Sequence, residues 1–371
     1  MRIILHIGAW KTGSSAIQQF LAVSTEALRA HGVAAPADAI NADGRGRILN
    51  KLTGSDEEAA EVTAEIEQLR AEGVETLVLS NEHYWPMSEV KIQTIGARLK
   101  ALADTVEVLI YVRPQEKMWR SLHSQQAKKF HVKSGAALWG TADFLPPVFA
   151  QRAVHYHQTL QLFANVFGQD AISVRLYDRA CFVGRDVVAD FLAYLGLDWM
   201  LFERQNRDIN RSVGWKGVAF AVWVADEVYD AMRALNPDKL VGKVYIRTIK
   251  RTADIFSDED WIGRDADPLT TEDKKAIRAH YEEDNQRLYQ TYFLGEDVFG
   301  APDEGRGDSV DPSAIPDREM VVAKRRFQKL AERKEYDITG LETLFAPPRP
   351  RPTALKRLLN ALPFRAQKIL I

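Results

Sequence analysis

The sequence predicts an α/β fold, with a parallel central sheet flanked by helices and a mainly helical C-terminal part. Four short apolar runs alternate with helical stretches, and these runs cover residues 2–7, 75–80, 106–112 and 171–177. Strands that alternate with helices form parallel sheets covered on both faces. After about residue 205 no further strand pattern occurs, and helical periodicity continues alone.

The composition is that of an ordinary globular protein with one large domain or two smaller ones. Of 371 residues, 46% are hydrophobic and 27% charged, and the formal net charge is −2. This near-neutral charge gives no general reason to expect a nucleic-acid partner. The single cysteine, Cys181, excludes an intrachain disulfide and fits a reducing compartment. No apolar run approaches the ~20 residues of a membrane span and no signal peptide is visible, so we expect a cytoplasmic protein.

The segments between the apolar runs are predicted to be helices or loops, from the spacing of their apolar residues and from their content of turn-forming residues. Residues 36–54 and 131–147 are rich in residues that favour loops. The apolar stretch 217–225, GVAFAVWVA, fits a buried helix. Helices are expected at 14–28, 56–72, 97–103 (the end of a helix), 116–129, 148–167 and 186–195.

Three polar segments directly follow three of the predicted strands. They read GAWKTGSS (8–15), SNEH (80–83) and RPQEKMWRS (113–121). Ligands of open parallel sheets bind at the carboxyl ends of the strands. We therefore expect the three segments to meet at one edge of the sheet and to form a site there.

The first of these segments is similar to a phosphate-binding P-loop with its lysine in an unusual position. Gly8 and Gly13 keep the P-loop spacing, but Ser14 occupies the usual lysine position and Lys11 comes two residues before Gly13. Backbone N–H groups at a helix N-terminus bind anions. A lysine in mid-loop suits a nucleotide with one 5′-phosphate, because it lies near the oxygen that bridges this phosphate to a transferable group. Further hydroxyl donors are available from Thr12, Ser14 and Ser15.

These residues resemble a signature of the sulfotransferases that use 3′-phosphoadenosine 5′-phosphosulfate (PAPS). KTGSS, residues 11–15, matches the family's phosphosulfate loop K-[TS]-G-[TS]-[TS] in full. Arg113 and Ser121 match a second signature, an arginine at a strand end and a serine eight residues later, which bind the 3′-phosphate. The resemblance implies that PAPS is the co-substrate, that no metal is required, and that the cofactor-binding residues are Lys11, Thr12, Gly13, Ser14, Ser15, Arg113 and Ser121.

Weaker likenesses extend the resemblance over roughly residues 1–295. They lie at 174–197, 210–212 and 282–293, and they fit a bacterial branch of the family. By analogy with that branch, the acceptor of the sulfuryl group is expected to be a hydroxyl of a glycan or glycolipid, which would make the reaction a carbohydrate sulfation. A small alcohol or phenol is the second alternative.

Three residues are candidates for the chemical step. Lys11 is expected to stabilise charge on the bridging oxygen of the leaving phosphate. Glu82 or His83 is expected to take the proton of the acceptor, because the family uses a glutamate or a histidine at this strand end. Glu82 is favoured, and the other reading is that one of the two only supports Lys11. His6, at the end of the first strand, is interpreted as a structural residue.

Two other functions use the same loop. A nucleotide kinase or ATPase is disfavoured because Asn81, rather than an acidic Mg²⁺ ligand, follows the second strand. A non-catalytic nucleotide-binding protein is disfavoured because the loop, Arg113 and Ser121 are all intact. Four aromatic residues could stack on sugar rings, but packing is the preferred interpretation for each of them: Tyr84, Trp85, Trp139 and Tyr156. Trp10 either flanks the substrate or packs in the protein.

The domain organisation predicted from sequence has three parts. A sulfotransferase domain covers 1–299, a Gly/Pro/Asp-rich linker 300–317, and a basic helical extension 318–371. From 349 to 371 there are six basic residues and no acidic one, with leucines at helical spacing over 354–362. This tail is expected to pack on the protein itself or on a second subunit of a homodimer. The alternative is peripheral contact with an anionic membrane, at its inner face.

Overall fold

A computed structural model describes residues 1–36, 47–131, 154–203 and 212–346. Five strands are present in this part of the chain: β1 (Arg2–His6), β2 (Val33–Ala34), β3 (Thr76–Ser80), β4 (Thr105–Val112) and β5 (Ile172–Leu176). The α-helices before residue 200 are α1 (Ser14–Val23), α2 (Thr25–Arg29), α3 (Arg47–Thr53), α4 (Asp56–Ala71), α5 (Glu89–Leu102), α6 (Gln115–Lys128), α7 (Tyr156–Phe167) and α8 (Val187–Tyr194). Those after it are α9 (Trp215–Trp223), α10 (Tyr229–Leu235), α11 (Val241–Phe256), α12 (Thr271–His280), α13 (Glu282–Tyr292) and α14 (Asp317–Arg333).

The five strands form one parallel sheet in the order β2-β3-β1-β4-β5. The central strand β1 pairs with β3 on one side and β4 on the other, so that His6 lies in register with Ser80 and with Leu109. The carboxyl ends of these three strands are therefore neighbours. The predicted α/β fold class is confirmed, and four of the five strands lie within one residue of the predicted runs.

The chain divides into two compact units. The first, which we call the sheet unit, comprises 1–126, 138–210 and 267–308. Both faces of its sheet are covered, because side chains alternate across β1: Ile3 and Leu5 belong to one apolar cluster with α5 and α7, and Ile4 belongs to another with α1 and α8.

The second unit, which we call the helical unit, comprises 127–137, 211–266 and 309–371. Every residue from 217 to 225 is buried, which confirms the predicted internal helix. The Phe220 ring of α9 packs against Trp261 and Phe327, with ring centroids 6.0 and 6.1 Å apart. This core joins α9 to α14. The predicted domain boundaries at residues 299 and 317 follow sequence order rather than this division, and they stay predictions.

Three predicted segments differ from the structure. The helix expected at 148–167 begins at Tyr156, because the His155 backbone is extended (φ −83°, ψ 94°), and residues 148–153 lie outside the described residues. Residues 47–53, placed in a loop from their polar surroundings, form α3, because Ile48, Leu49 and Leu52 fall on one helix face and are buried. The helix expected at 14–28 is divided at Ser24, whose backbone leaves the helical conformation (φ −105°, ψ 21°). The predicted loop 131–147 and the tail 349–371 lie outside the described residues, except His131. No helix among the described residues is long and apolar enough to cross a membrane.

Candidate active site

The loop between β1 and α1 is a tight turn that depends on its glycines. Gly8 and Gly13 have φ of 36° and 81°, in the left-handed region that favours glycine. A Cβ atom on Gly13 would lie only 2.8 Å from the Tyr177 ring and 3.2 Å from Val187. Larger residues are therefore excluded at Gly13, and the loop backbone lies directly against these two side chains.

At the N-terminus of α1, no side chain of the described residues forms a capping hydrogen bond with the backbone N–H groups. The first turn of this helix contains no acidic residue. By contrast, α4 begins with a capping box formed by Ser55 and Glu58, and α12 with one formed by Thr270 and Asp273. The Ser14 hydroxyl is buried and makes no hydrogen bond within the described chain. Uncapped N–H groups and an unpaired buried donor are what an anion such as phosphate requires.

The other hydroxyl residues of the loop differ in their surroundings. Thr12 is buried, and its hydroxyl donates to the Ala9 carbonyl at 2.6 Å, so this side chain holds the loop together. Ser15 is exposed on the first turn of α1. Of the predicted hydroxyl donors, Ser14 and Ser15 are thus the ones positioned to face a ligand.

Arg113 joins the third segment to the loop. Its Nη1 donates a hydrogen bond to the Lys11 carbonyl at 2.9 Å, and its guanidinium lies over the Tyr177 ring, 5.4 Å from the centroid. Lys11 itself has φ 64°, a conformation that is uncommon outside glycine and turns this carbonyl toward Arg113. Ser121 is half-buried on α6, about two turns further along the chain.

Tyr177 was not among the candidate site residues. It contacts both Gly13 and Arg113, and its backbone N–H donates to the Val112 carbonyl at 2.7 Å. Its position directly after β5 was visible in the sequence VRLYDR, but the contact with Gly13 depends on the sheet order, in which β5 lies beside β4.

A buried polar network holds the start of α6, and this network was also missed. The Tyr156 hydroxyl donates to the Arg113 carbonyl at 2.8 Å. Gln115 and Asn285 exchange two hydrogen bonds of 2.7 and 3.1 Å, and both side chains are buried. One helical position later, Glu116 pairs with Arg278. The backbone that carries Arg113 is thereby fixed to α7, α12 and α13.

Glu82 and His83 follow β3 and begin a short 3₁₀ turn. Asn81 caps this turn by accepting a hydrogen bond from the His83 backbone N–H at 2.9 Å. The Glu82 Cα lies 3.7 Å from the point that a Cβ on Gly8 would occupy, so its backbone adjoins the phosphate loop. Both side chains are exposed. The backbone of Glu82 therefore adjoins the loop, and its exposed carboxylate forms no ion pair with any residue in the described part of the chain.

His6 is completely buried and structural. Its Nδ1 lies 2.7 Å from the Ser80 hydroxyl, which links the ends of β1 and β3. Its ring packs against Tyr111 and Phe191, with centroids 6.1 and 5.8 Å away. Burial lowers the pKa of His6 to about 4, so the ring is neutral near pH 7.

The aromatic residues considered for sugar stacking are mostly part of the core. Tyr84, Trp85 and Tyr156 are each no more than 2% exposed, which confirms packing as their role. Trp10 is half-buried against the same core. Trp139 lies outside the described residues.

Comparisons with known proteins give one structural likeness. The chain is similar to a sulfotransferase. That protein, from Alicyclobacillus acidocaldarius, has a solved structure with 15% sequence identity and a TM-score of 0.33, and the match covers 66% of this chain and 98% of that one. No protein-family model and no curated protein matches the chain.

The arrangement suits transfer chemistry on an anionic nucleotide. The loop after β1 contributes Lys11 and the uncapped N-terminus of α1, and the turn after β3 contributes the exposed carboxylate of Glu82. The segment after β4 contributes Arg113, whose guanidinium is held by the Lys11 carbonyl and the Tyr177 ring. Within the described residues, no group of three or more His, Cys, Asp or Glu side chains is arranged to hold a metal ion.

Proposed function

We propose that this protein is a sulfotransferase that moves the sulfuryl group of PAPS to a hydroxyl of its acceptor. The observation that carries the proposal is the uncapped N-terminus of α1, where the buried Ser14 hydroxyl has no hydrogen-bond partner among the described residues and Arg113 is bonded to the nearby Lys11 carbonyl. An uncapped helix end fits a phosphate, and an arginine bonded to the same loop supplies a second anion-binding group nearby. PAPS carries two such groups, a 5′-phosphosulfate and a 3′-phosphate.

The binding roles follow from the surroundings of each residue. The N–H groups at the start of α1 and the hydroxyls of Ser14 and Ser15 hold the 5′-phosphate. Arg113 binds the 3′-phosphate as a charge-assisted fork, together with Ser121. Tyr177 supports Arg113 by stacking beneath its guanidinium.

In this reaction the sulfuryl group passes directly from PAPS to the acceptor, and the protein forms no covalent bond with it. The acceptor oxygen attacks sulfur, the bond from sulfur to the bridging oxygen breaks, and the bond electrons remain on the leaving 5′-phosphate. Lys11 stabilises this developing charge, because its ammonium group reaches the bridging oxygen from mid-loop. Glu82 accepts the hydroxyl proton, because it adjoins the loop and is accessible to an acceptor.

The acceptor is proposed to be a hydroxyl of a glycan or glycolipid. The exposure of Glu82 and His83 at the sheet edge is compatible with a large acceptor that remains partly in solvent. A small alcohol or phenol would instead require an enclosing pocket at this edge.

Calorimetry tests the proposal directly. We expect adenosine 3′,5′-bisphosphate, the product nucleotide, to bind without Mg²⁺, and we expect Ser14→Val to weaken this binding about tenfold through loss of one hydrogen bond to a charged group. Ser24→Val, a change at the other end of α1, is the matched control and should leave affinity unchanged. Binding of Mg·ATP with no affinity for the bisphosphate would contradict the proposal and indicate a kinase. Transfer of ³⁵S from PAPS to lipid and polysaccharide extracts then identifies the acceptor class.

A further inference from the structure

Charge is distributed unevenly between the two units. The helical unit contains 25 Lys and Arg residues against 16 Asp and Glu, whereas the sheet unit contains 24 against 35. The net charge of −2 therefore conceals an acidic unit and a basic one, and six of the nine excess positive charges of the basic unit belong to the tail, 349–371. A unit with this excess of positive charge attracts anionic surfaces.

Among the described residues of the helical unit, Lys and Arg side chains cluster around α11. One groove of about 770 Å³ lies at the N-terminal half of this helix. Of the residues that the structure describes, none in its lining is acidic, and six are Lys or Arg: Lys128, Lys129, Arg233, Lys239, Lys243 and Arg247. Lys129, Lys243 and Arg247 are exposed and form no ion pair with any residue that the structure describes.

A second groove, of about 480 Å³, lies where the C-terminal half of α11 meets α14. It also has no acidic lining residue, and its five cations form no ion pair in the described chain: Arg251, Arg325, Arg326, Lys329 and Arg333. The two grooves share α11, a helix about 24 Å long. Its exposed side carries four cations, Lys243, Arg247, Lys250 and Arg251, and one acid, Asp254. We call this surface the α11 face.

Aliphatic side chains project from the same face. Leu240 and Ile246 line the first groove and are 66% and 43% exposed. The opposite side of the helix carries Val244, Tyr245 and Ile249, which are buried in the unit's own core. The exposed aliphatics are thus separate from the core residues and stand among cations.

We propose that the α11 face docks on an anionic lipid surface. Lys and Arg side chains attract the headgroups, and exposed aliphatic residues among them enter the boundary between headgroups and acyl chains. The tail, with six basic residues and no acid from 349 to 371, cannot neutralise this face and adds to the same attraction. A soluble polyanion would satisfy the cations but offers no apolar layer for Leu240 and Ile246, so the lipid surface is the better fit.

Vesicle co-sedimentation of the full chain tests this proposal. We expect binding to vesicles of phosphatidylcholine with 30% phosphatidylglycerol, no binding to phosphatidylcholine alone, and strong weakening between 50 and 500 mM NaCl as the charges are screened. Lys243→Glu with Arg247→Glu should lower the partition coefficient at least about 25-fold, since each basic residue near the surface contributes about fivefold. Leu240→Ser with Ile246→Ser should weaken binding without changing its salt dependence.

A charge-matched control separates the α11 face from net charge. Lys91→Glu with Lys275→Glu changes two exposed lysines of the sheet unit and should leave vesicle binding nearly unchanged. Circular dichroism and the thermal midpoint verify that each variant is folded. Three outcomes overturn the proposal: equal loss in the control, loss only from Lys356→Glu with Arg357→Glu in the tail, or binding to dextran sulfate with none to any vesicle.

Discussion

At the scale of single residues, the site separates side chains that bind from side chains that hold the loop. Thr12 and His6 are buried and already bonded, to the Ala9 carbonyl and the Ser80 hydroxyl, so they maintain the loop. The Ser14 hydroxyl is buried and makes no hydrogen bond to any residue in the described part of the chain, which is costly unless a ligand completes the bond. Lys11 belongs to both groups, because its carbonyl accepts the hydrogen bond from Arg113 while its half-buried side chain is the one proposed to act on the leaving phosphate.

Lys11→Met should lower the turnover number by ~10²–10³ with little loss of affinity for the bisphosphate. The charge that Lys11 stabilises develops only in the transition state, and methionine keeps both the side-chain length and the backbone strain at φ 64°. Steady-state rates and calorimetry measure the two effects. An unchanged turnover number would remove Lys11 from the mechanism.

Arg113→Ala should weaken binding of adenosine 3′,5′-bisphosphate far more than binding of adenosine 5′-monophosphate. A charge-assisted hydrogen bond contributes on the order of 1.5–3 kcal/mol, and only the bisphosphate carries the 3′ group. Calorimetry with both ligands isolates this difference. Equal losses would instead indicate that Arg113 acts through its bond to the Lys11 carbonyl.

Glu82→Gln should reduce the initial rate more than His83→Asn does. Glutamine keeps the shape of the side chain but cannot accept the proton of the acceptor, whereas the His83 backbone bond to Asn81 survives substitution of its ring. Initial rates at saturating PAPS compare the two variants. The reverse ranking would assign the base to His83.

At the scale of elements, α8 forms the wall behind the phosphate loop. Its Asp190 is buried and accepts two hydrogen bonds from Arg175 at 2.7 Å and one from Tyr111 at 2.8 Å. Burial alone would raise the pKa of Asp190, but the bonds from Arg175 and Tyr111 outweigh it and lower the pKa. The network fixes α8 on β4 and β5, and Val187 of the same helix touches Gly13.

Asp190→Ala should destabilise the protein by about 3–5 kcal/mol, because it leaves Arg175 and the Tyr111 hydroxyl without their common partner. Urea unfolding measures the change. Asp198→Ala, which removes an exposed cap of a short 3₁₀ turn, is the comparison and should cost about 1 kcal/mol. Similar losses in both variants would mean that the network does not stabilise the sheet unit.

Elements that are specified by a local sequence pattern could be predicted. Contacts that depend on the packing of distant segments could not. The strand, glycine turn and helix around Lys11 follow from an apolar run and two spaced glycines. The roles of Tyr177 and Asn285 depend on contacts with residues 64 and 170 positions away, for which a single sequence carries no signal. Helix α3 did have a signal, the spacing of Ile48, Leu49 and Leu52, but the polar residues before it favoured a loop.

At the scale of the whole molecule, two buried histidines make stability depend on pH. Burial lowers the pKa of His6 and of His123 to about 4, below the ordinary value near 6.5 that holds in the unfolded chain. The unfolded chain therefore binds protons first as the pH falls. Their full contribution to stability is present above about pH 6.5 and is lost progressively down to pH 4.

Between pH 8 and pH 5, each of these histidines should reduce the free energy of unfolding by about 2 kcal/mol. His6→Gln combined with His123→Gln should flatten this dependence even if it lowers stability at every pH. Urea titrations at several pH values measure the slope, and His31→Gln, at an exposed position, is the control. A slope that survives the double substitution would assign the effect to other groups.

Each unit is assembled from three separate stretches of chain. The order of these stretches along the sequence decides which packing partners are available at each stage of synthesis. The contact between Phe220 of α9 and Phe327 of α14 cannot form until α14 has been synthesised. The sheet-unit stretch 267–308 is synthesised between these two helices. At ~5–20 residues per second, the delay lasts about 5–20 s. Throughout that interval the helix 217–225 can pack on Trp261 but not yet on Phe327, so the nascent chain presents the side of this apolar segment that α14 later covers, and a chaperone can act there.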